Sequence, residues 1–248
     1  MHRLKLDLKQ THSGLAERPF ASSAASEAER SVILKAPKPA SPVVQQRFDT
    51  RRLIDIVVSA SLIVLLMPVL LLITLLIVVT DPGPPIYSHR RVGLGGKSYG
   101  CLKFRSMCTG AERRLDQLLA KDPVLREEWL RDFKLANDPR VTRVGRFLRH
   151  TSLDELMQLF NVLAGSMSLV GPRPIVREEL KRYGRFADHY MSVKPGLTGL
   201  WQVSGRSSVS YRRRVAADVL YVRSRSYALD MRILFMTVPA VLLARGSC

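Results

Sequence analysis

The chain is short of cysteine and of acidic residues, and both shortages narrow what it can be. Its three cysteines, among 248 residues, include no C-x-x-C pair and make no even framework. This argues against a disulfide scaffold and indicates reduced thiols in a reducing compartment. Only 21 acidic residues stand against 39 basic ones, which gives a formal net charge of +18. Such an excess predicts binding to anions: nucleic acid, anionic lipid headgroups or phosphorylated substrates.

Several signatures of other protein classes are also missing. The sequence has no G-x-S-x-G nucleophile elbow and no histidine–cysteine cluster with metal-ligand spacing. Residues 96–98, Gly-Lys-Ser, imitate the end of a P-loop, but the first glycine of that motif would fall at Arg91 and no helix pattern follows. Nothing resembles a nucleic-acid-binding motif, so nucleic acid is not an expected partner. No cleavable signal peptide is visible, because the first apolar segment begins too far along the chain.

The first half of the chain predicts a tail followed by a membrane segment. Residues 1–46 are rich in Ser, Ala, Pro, Lys and Glu and are expected to be a mostly disordered, basic and polar tail. From Ile56 to Val79 roughly 24 residues carry no charge, which is long enough to cross a bilayer. Pro68 would kink a helix there, and both flanks are basic, although positive charge marks the cytoplasmic side. A crossing helix and a re-entrant segment are therefore both open from the residues alone.

The region after the apolar segment predicts a hairpin and then charged helices. Residues 86–107 contain β-like runs on either side of the glycine-rich stretch 93–96. Residues 111–136 read as two helices divided at Asp122-Pro123, where an N-cap precedes a proline at the first helical position. From Arg140 to Arg149 an arginine recurs every three residues between apolar ones. That stretch either lies on anionic lipid or forms a solvated basic face.

The stretch from Thr151 to Pro174 carries the features best suited to chemistry. Asp154 and Glu155 fall in the first turn of a predicted helix. Ser152 and Glu155 fit a capping box, which would account for Glu155 structurally but leaves Asp154 unexplained. An aspartate can attack phosphorus and form an acyl-phosphate. That reaction needs a divalent cation to neutralise diphosphate charge, and oxygen ligands suit Mg²⁺.

Two cationic loops follow the predicted helix. Arg173 lies between Pro172 and Pro174, and a guanidinium in such a stiff loop binds phosphate with less loss of entropy. A second, glycine-rich loop spans 194–206, where backbone amides suit a phosphate and Trp201 suits an apolar group. Each feature alone is commonly structural. Together with the apolar segment they indicate a membrane-bound enzyme that handles an anionic, lipid-linked phosphate.

The motifs and their order resemble those of the bacterial sugar transferases, the monotopic phosphoglycosyl transferases. The matching motifs are DPGPPIY (81–87), KFRSM (103–107), NDPR (137–140), VGRFLR (144–149), TSLDEL (151–156), SLVGPRP (168–174) and KPGLTGLWQVSGR (194–206). The resemblance covers about Arg47 to the C-terminus. It implies transfer of hexose-1-phosphate from a UDP-sugar to undecaprenyl phosphate, with Mg²⁺, at the cytoplasmic face of the bacterial inner membrane. The C-terminus resembles the exopolysaccharide-priming branch, and galactose or glucose is the favoured sugar.

The resemblance also implies roles for single residues. Asp154 would be the nucleophile that forms a phosphosugar intermediate and releases UMP, and Glu155 would assist as a base or with the metal, for which both carboxylates are candidate ligands. The expected substrate-binding residues are Pro172, Arg173, Pro174, Arg206, Lys103 and Arg105. The membrane segment would be a re-entrant helix broken at Pro68, which favours re-entrance over crossing.

The predicted fold class is therefore α-dominant α+β. A re-entrant membrane helix (47–81) would precede a compact cytoplasmic catalytic domain (82–248) with a small β-hairpin and interfacial amphipathic helices. Anionic membrane lipids are expected partners, and the oligomeric state is left open. The alternative is a membrane-tethered basic module that binds lipid or regulates a transferase without catalysis. That module would need neither the carboxylate pair nor the Arg173 loop.

Overall fold

Helices dominate the computed structural model, which describes residues 50–132, 135, 137–204 and 210–242. The predicted tail, 1–46, lies outside the described residues, and so does Arg206. The elements in chain order are α1 (Thr50–Thr80), β1 (Ile86–Val92), β2 (Ser98–Phe104), α2 (Ala111–Lys121), α3 (Pro123–Asp132), α4 (Arg143–Thr151), α5 (Gln158–Ala164), β3 (Ser168–Val170), α6 (Leu180–Tyr183), α7 (Ala187–Met191), β4 (Gly196–Thr198), α8 (Leu200–Ser204), α9 (Tyr211–Ser224) and α10 (Tyr227–Leu242). The helix-dominant fold with little sheet agrees with the prediction.

The apolar segment forms one helix, α1, which is long and apolar enough to cross a membrane by length and composition. Helical structure continues through Pro68. Proline removes one backbone hydrogen bond but does not end the helix here, so the break expected at Pro68 is not an interruption of α1. One stripe of α1 is buried against the rest of the chain, and it consists of Asp55, Ser59, Ile63, Leu70, Ile73 and Ile77. Most of its other apolar side chains are exposed.

Polar contacts fix the first two turns of α1 to the domain. The Arg52 guanidinium donates to the backbone carbonyls of Val162 and Leu163 at 2.6 and 2.7 Å. The buried Asp55 carboxylate accepts a hydrogen bond from the backbone N–H of Leu169 at 2.9 Å. Because buried charges need partners, these contacts determine where the helix begins on the domain.

The other end of α1 is bound to the same domain. Leu70, Ile73 and Ile77 pack in one buried cluster with Phe104 of β2 and Leu148 of α4. Just beyond the helix, the Asp81 carboxylate accepts a hydrogen bond from the backbone N–H of Thr109 at 2.9 Å. Residues from Gln46 onward form one compact unit.

The predicted hairpin and helix pair are confirmed. Strands β1 and β2 pair antiparallel from Ile86 opposite Phe104 to Val92 opposite Ser98. Gly95 and Gly96 take positive φ angles of 65° and 75° in the connecting turn, where glycine is the favoured residue. The Asp122 carboxylate accepts from two backbone amides at the start of α3, as its predicted N-cap role requires.

The arginines between 140 and 149 do not form one face, contrary to the single basic stretch that their spacing predicts. Arg140 is buried and pairs with the Asp138 carboxylate at 2.6 Å. Arg149 points inward and donates to the Ser106 hydroxyl at 2.8 Å. Arg143 and Arg146 are exposed, so only this half of the stretch is available to solvent or lipid. The reason is that Arg140 precedes helix α4 and therefore does not follow its periodicity.

Candidate active site

The predicted carboxylate pair lies in a 3₁₀ turn between α4 and α5, not in the first turn of an α-helix. Leu153–Met157 form that turn, and it is preceded by Ser152 in the left-handed region with φ 59°. The Ser152 side chain makes no capping hydrogen bond, so the capping box predicted from the spacing is wrong. The tighter turn changes the direction of each side chain relative to an α-helix. Glu155 is thereby released from a capping role, and Asp154 is buried, with 7% of the residue exposed.

Lys103 of β2 faces both carboxylates. Its ammonium Nζ lies 2.6 Å from Glu155 Oε1 and 3.7 Å from Asp154 Oδ2. The β1–β2 hairpin thus brings Lys103 into contact with Glu155, from which it is 52 residues apart in the sequence. Lys103, which the resemblance marks as a substrate contact, is in this structure the link that holds the two carboxylates in one site.

The two carboxylates have opposite electrostatic environments. Burial raises the pKa of Asp154 above its ordinary value, and the nearby positive charges of Lys103 and Arg149 offset only part of this effect. Burial also opposes ionisation of Glu155, but the charges of Lys103 and Arg173 outweigh it, so the pKa of Glu155 lies below its ordinary value. Adjacent residues with divergent pKa values are typical of catalytic pairs.

The Arg173 loop is fixed by the short parallel pairing of β3 and β4. The backbone N–H of Gly171 donates to the Thr198 carbonyl at 2.9 Å, and the N–H of Gly196 donates to the Pro172 carbonyl at 2.8 Å. A Cβ on Gly196 would lie 2.1 Å from the Gly171 nitrogen, so these backbones approach as only glycine permits. The Arg173 loop and the described part of the second cationic loop, 194–204, are therefore joined by backbone contacts.

Glu155 of the carboxylate pair and the Arg173 loop line one cleft, whose empty space, with the open solvent at its mouth included, is about 310 Å³. Its lining residues are Arg91, Cys101, Lys103, Glu155, Gln158, Arg173, Pro174, Leu197 and Gln202. Three of these are cations, which suits a ligand with more than one negative charge. We call this space the dyad cleft.

Two basic residues of the site were not among the predicted ones. Arg91 of β1 lines the dyad cleft, and its guanidinium lies 3.6 Å from Glu179 Oε1. Arg149 acts electrostatically on Asp154 from α4. Sequence reasoning placed Arg91 in the flank of the membrane segment and Arg149 on a surface helix. The available signal was that each residue belongs to a motif of the resemblance: Arg91 begins RVG (91–93), a further match, and Arg149 ends VGRFLR.

Some predicted residues lie elsewhere. Arg105 is predicted to contact substrate, but its guanidinium bonds the backbone carbonyl of Asp81 at the end of α1 and lies 3.5 Å from the Asp81 carboxylate. Pro172 is fully buried, so its part in the loop is structural, whereas Pro174 lines the cleft. Trp201 is buried, as an ordinary core tryptophan would be, yet the Arg173 guanidinium lies 5.2 Å above its ring.

The donor set of the site fits a magnesium ion only with help from a substrate. Within the described ranges, no group of three His, Cys, Asp or Glu side chains is placed to hold a metal ion. Asp154 and Glu155 supply two carboxylates. Mg²⁺ is commonly bound by one or two carboxylates together with water and substrate phosphates, so the residues present are compatible with that mode.

Comparison with known proteins gives the family. Residues 45–244 match the family model described as bacterial sugar transferase. The match covers most of the chain, and the protein belongs to the bacterial sugar transferase family. The resemblance seen in the motifs is confirmed.

Three relatives illustrate the range of the family. The undecaprenyl-phosphate galactose phosphotransferase of Salmonella typhimurium is 58% identical over 67% of this chain and 35% of its own length. The exopolysaccharide production protein ExoY of Rhizobium meliloti is 51% identical over 68% of this chain and 74% of its own length. The UDP-glucose:undecaprenyl-phosphate glucose-1-phosphate transferase of Klebsiella pneumoniae is 40% identical over 76% of this chain and 39% of its length. The aligned part therefore spans about a third of the first of these relatives.

Proposed function

We propose that the protein transfers hexose-1-phosphate from a UDP-sugar to undecaprenyl phosphate, the priming step of exopolysaccharide synthesis. The observation that carries the proposal is the dyad cleft itself. It is lined by a glutamate of lowered pKa and by three cations of the kind that bind diphosphate, and the buried Asp154 lies beside it, 3.7 Å from Lys103 Nζ. The names of the galactose and glucose relatives and of ExoY support the same activity. Galactose and glucose are the favoured sugars, since both occur among these names.

The proposed reaction has two displacement steps at one phosphorus. An Asp154 carboxylate oxygen attacks the β-phosphorus of the UDP-sugar, and the bond from that phosphorus to the bridging oxygen breaks. UMP leaves with the bridging oxygen, and the sugar phosphate remains on Asp154 as an acyl-phosphate. A phosphate oxygen of undecaprenyl phosphate then attacks the same phosphorus. The Asp154 carboxylate is released, and the product is an undecaprenyl diphosphate sugar.

The surrounding side chains have separate tasks in this scheme. Burial of Asp154 removes water from the attacking carboxylate and raises its pKa, and the charges of Lys103 and Arg149 partly oppose that shift in favour of the ionised form. Arg173 and Arg91 bind the diphosphate oxygens and stabilise charge that moves onto the departing UMP. Asp154 and Glu155 would hold Mg²⁺ together with substrate phosphates. When bound, the ion supplies neutralisation of diphosphate charge.

We also propose that α1 enters and leaves the membrane on one face. A straight helix of 31 residues is about 46 Å long, more than the roughly 30 Å of hydrocarbon in a bilayer. Yet Asp55 near its start and Ile77 near its end both contact the same domain. A domain on one side of a bilayer cannot reach both ends of a helix that crosses it. Re-entrance lets the exposed apolar side chains of α1 face lipid while both ends stay with the domain, at the cytoplasmic face of the inner membrane.

The first experiment is UMP release by the full chain in nanodiscs, with Mg²⁺, undecaprenyl phosphate and a panel of UDP-sugars. We expect release that depends on the lipid and that is lost in Asp154→Asn. The matched control, Asp116→Asn on the exposed surface of α2, should retain full activity. Incubation with UDP-sugar and Mg²⁺, without the lipid, should raise the intact mass of the wild type, but not of Asp154→Asn, by one hexose phosphate.

The result also decides against the alternative function. A lipid-binding or regulatory module would bind anionic vesicles without releasing UMP from any donor. Absence of release from folded protein, with every donor tested, would therefore reject the transferase. Release that survives Asp154→Asn would retain the transferase and reject Asp154 as the nucleophile.

A further inference from the structure

The hairpin that carries Lys103 has an outer edge where, in the described part of the chain, no further strand pairs with it. Strands β1 and β2 form a two-stranded sheet, so the second edge of β2 lies outside the ladder. Residues two apart on a strand direct their backbone groups to the same edge. Gly100 and Leu102 form the outer edge of β2 in this way. Backbone groups on such an edge need other partners wherever water is excluded.

The side chain of Asn161, on α5, takes the place of a third strand. Its carboxamide oxygen accepts a hydrogen bond from the Leu102 backbone N–H at 2.8 Å, and its nitrogen donates to the Gly100 carbonyl at 2.7 Å. The same nitrogen donates to the Ser166 hydroxyl at 3.2 Å. Asn161 is only 6% exposed, so these bonds are largely shielded from water. We call the two bonds from Asn161 to β2 the Asn161 clamp.

The clamp joins the two elements between which the ion pair of the site forms. Helix α5 begins directly after the 3₁₀ turn that carries Asp154 and Glu155. Lys103 follows Leu102 on β2, and its ammonium Nζ lies 2.6 Å from Glu155 Oε1. Asn161 itself is not one of the residues that line the dyad cleft. Any effect of Asn161 on the chemistry must therefore pass through the groups that it positions.

Apolar packing brings β2 close to α5 but does not fix the register of the strand. Cys101 of β2 lies in one buried cluster with Leu159 and Val162 of α5. The hydrophobic effect is not directional, so this contact tolerates sliding. Because side chains alternate between the two faces of a strand, a slip by one residue would turn Lys103 away from the cleft. The hydrogen bonds of the clamp are directional and select one register.

We propose that Asn161 is a positioning residue, whose clamp sets the register of the hairpin against the carboxylate turn and so holds Lys103 beside Glu155 and Asp154. The inference rests on the proposed function, which makes that pair the reacting centre. An amide is required because it offers an acceptor and a donor side by side, whereas an ionised carboxylate only accepts. A misplacement of about 1 Å near the reacting atoms can lower a rate by about a hundredfold.

The first test measures the position of Lys103 without turnover. The full chain in nanodiscs is treated with an N-hydroxysuccinimide ester, and acylation of each lysine is followed by peptide mass spectrometry. The reagent needs a free, unprotonated amine, so a lysine held against a carboxylate reacts slowly. In Asn161→Ala, Lys103 should react at least about threefold faster relative to Lys97, an exposed lysine in the turn of the same hairpin.

Two further variants control this measurement. Ser166→Ala removes the third bond of the Asn161 amide but leaves the clamp, and Lys103 should then react as in the wild type. Asn161→Ala leaves a polar space in which water can satisfy Leu102 and Gly100, whereas Asn161→Leu fills that space. Melting curves show which of the two Asn161 variants is folded, and the test is read on that variant.

The second test is a double-mutant cycle on the rate of lipid-dependent UMP release. We expect the folded Asn161 variant to lower the rate at least about tenfold in the wild-type background. In the Lys103→Met background the same change should lower it by less than about twofold, because the group that Asn161 positions is already gone. A general loss of stability would instead lower the rate by the same factor in both backgrounds.

The outcomes separate this inference from the proposed function. Unchanged reactivity of Lys103 in a folded Asn161 variant, or rate losses that multiply in the double variant, overturns the positioning role even if the wild type releases UMP normally. Faster acylation of Lys103 in that variant, with no lipid-dependent release by the wild type from any donor, supports the clamp and rejects the transferase scheme.

Discussion

Asp218 of α9 offers the most quantitative test of the structure, because its carboxyl is almost completely buried and accepts a hydrogen bond from the Tyr183 hydroxyl. Burial raises the pKa of Asp218 from 3.8 to about 7, although the Tyr183 hydroxyl and the charges of Arg173 and Arg214 oppose the shift. In the unfolded chain this side chain titrates near 3.8. The folded state therefore binds the proton more tightly between those two pH values.

The sign of the pH dependence follows from linkage. Where the folded state holds more protons than the unfolded state, the free energy of unfolding falls as pH rises. The contribution of Asp218 to the free energy of unfolding is fully present below pH 4 and is lost as the pH rises through about 7. A shift of this size corresponds to about 4 kcal/mol, or roughly ten degrees in melting temperature for a domain of this length.

Asp218→Asn removes the titration and keeps the shape. The measurement is the melting temperature of both proteins between pH 4 and 8 in one detergent, compared as a difference so that other titrating groups cancel. We expect the wild type to lose stability relative to the variant by up to roughly ten degrees across this range. A difference that does not vary with pH would show that Asp218 titrates normally and that its burial has been misjudged.

Three further changes test the site and its support. Lys103→Met should lower UMP release by at least about tenfold, because it leaves two adjacent carboxylates uncompensated, whereas Lys103→Arg should retain part of the rate; equal rates would exclude Lys103 from the site. Gly145→Ala would place a Cβ 1.9 Å from the Ser106 carbonyl oxygen and should lower the free energy of unfolding by about 1–3 kcal/mol, measured by thermal or denaturant unfolding. Arg140→Met leaves a buried carboxylate without its partner and should destabilise by about 3–5 kcal/mol, and a loss below 1 kcal/mol would contradict the buried pair.

The elements that sequence predicted well are those fixed by local chemistry. The hairpin turn needed residues that accept positive φ at Gly95 and Gly96, and the α2–α3 division needed a cap and a proline at 122–123. Each signal is contained within a few residues. No distant contact overrides these local signals, so the structure agrees with the sequence pattern.

The capping box failed because a distant residue decided it. Ser152 and Glu155 have the correct spacing, but Lys103 on the hairpin binds the Glu155 carboxylate at 2.6 Å. This charge-assisted hydrogen bond contributes more to the stability of the fold than a capping bond at the surface would. The inward turn of Arg149 also depends on a distant residue, whereas the buried Arg140 pairs with a carboxylate only two residues before it. Their partners, Ser106 and Asp138, lie outside the helix whose periodicity was used.

The site itself was predictable as a set of residues but not as a geometry. Motifs marked Asp154, Glu155, Arg173 and Lys103 as functional, and the structure places all four around one cleft or its edge. The sequence did not predict that the β1–β2 hairpin, the 3₁₀ turn and the Arg173 loop meet at this cleft. That arrangement depends on backbone contact between β3 and β4, which no spacing encodes.

The opposite pKa shifts of Asp154 and Glu155 favour a division of labour between two chemically similar neighbours. Lys103 Nζ lies 2.6 Å from Glu155 Oε1 and 3.7 Å from Asp154 Oδ2, and the shorter contact favours the ionised form of Glu155, whose pKa is lowered. Asp154 is the more buried of the two. A poorly hydrated carboxylate loses less stabilisation when it forms a bond to phosphorus than a carboxylate held in an ion pair does. If the roles were reversed, the nucleophile would first have to break its bond to Lys103. We therefore propose Asp154 as the attacking group and Glu155 as the anion that holds the Lys103 ammonium beside it.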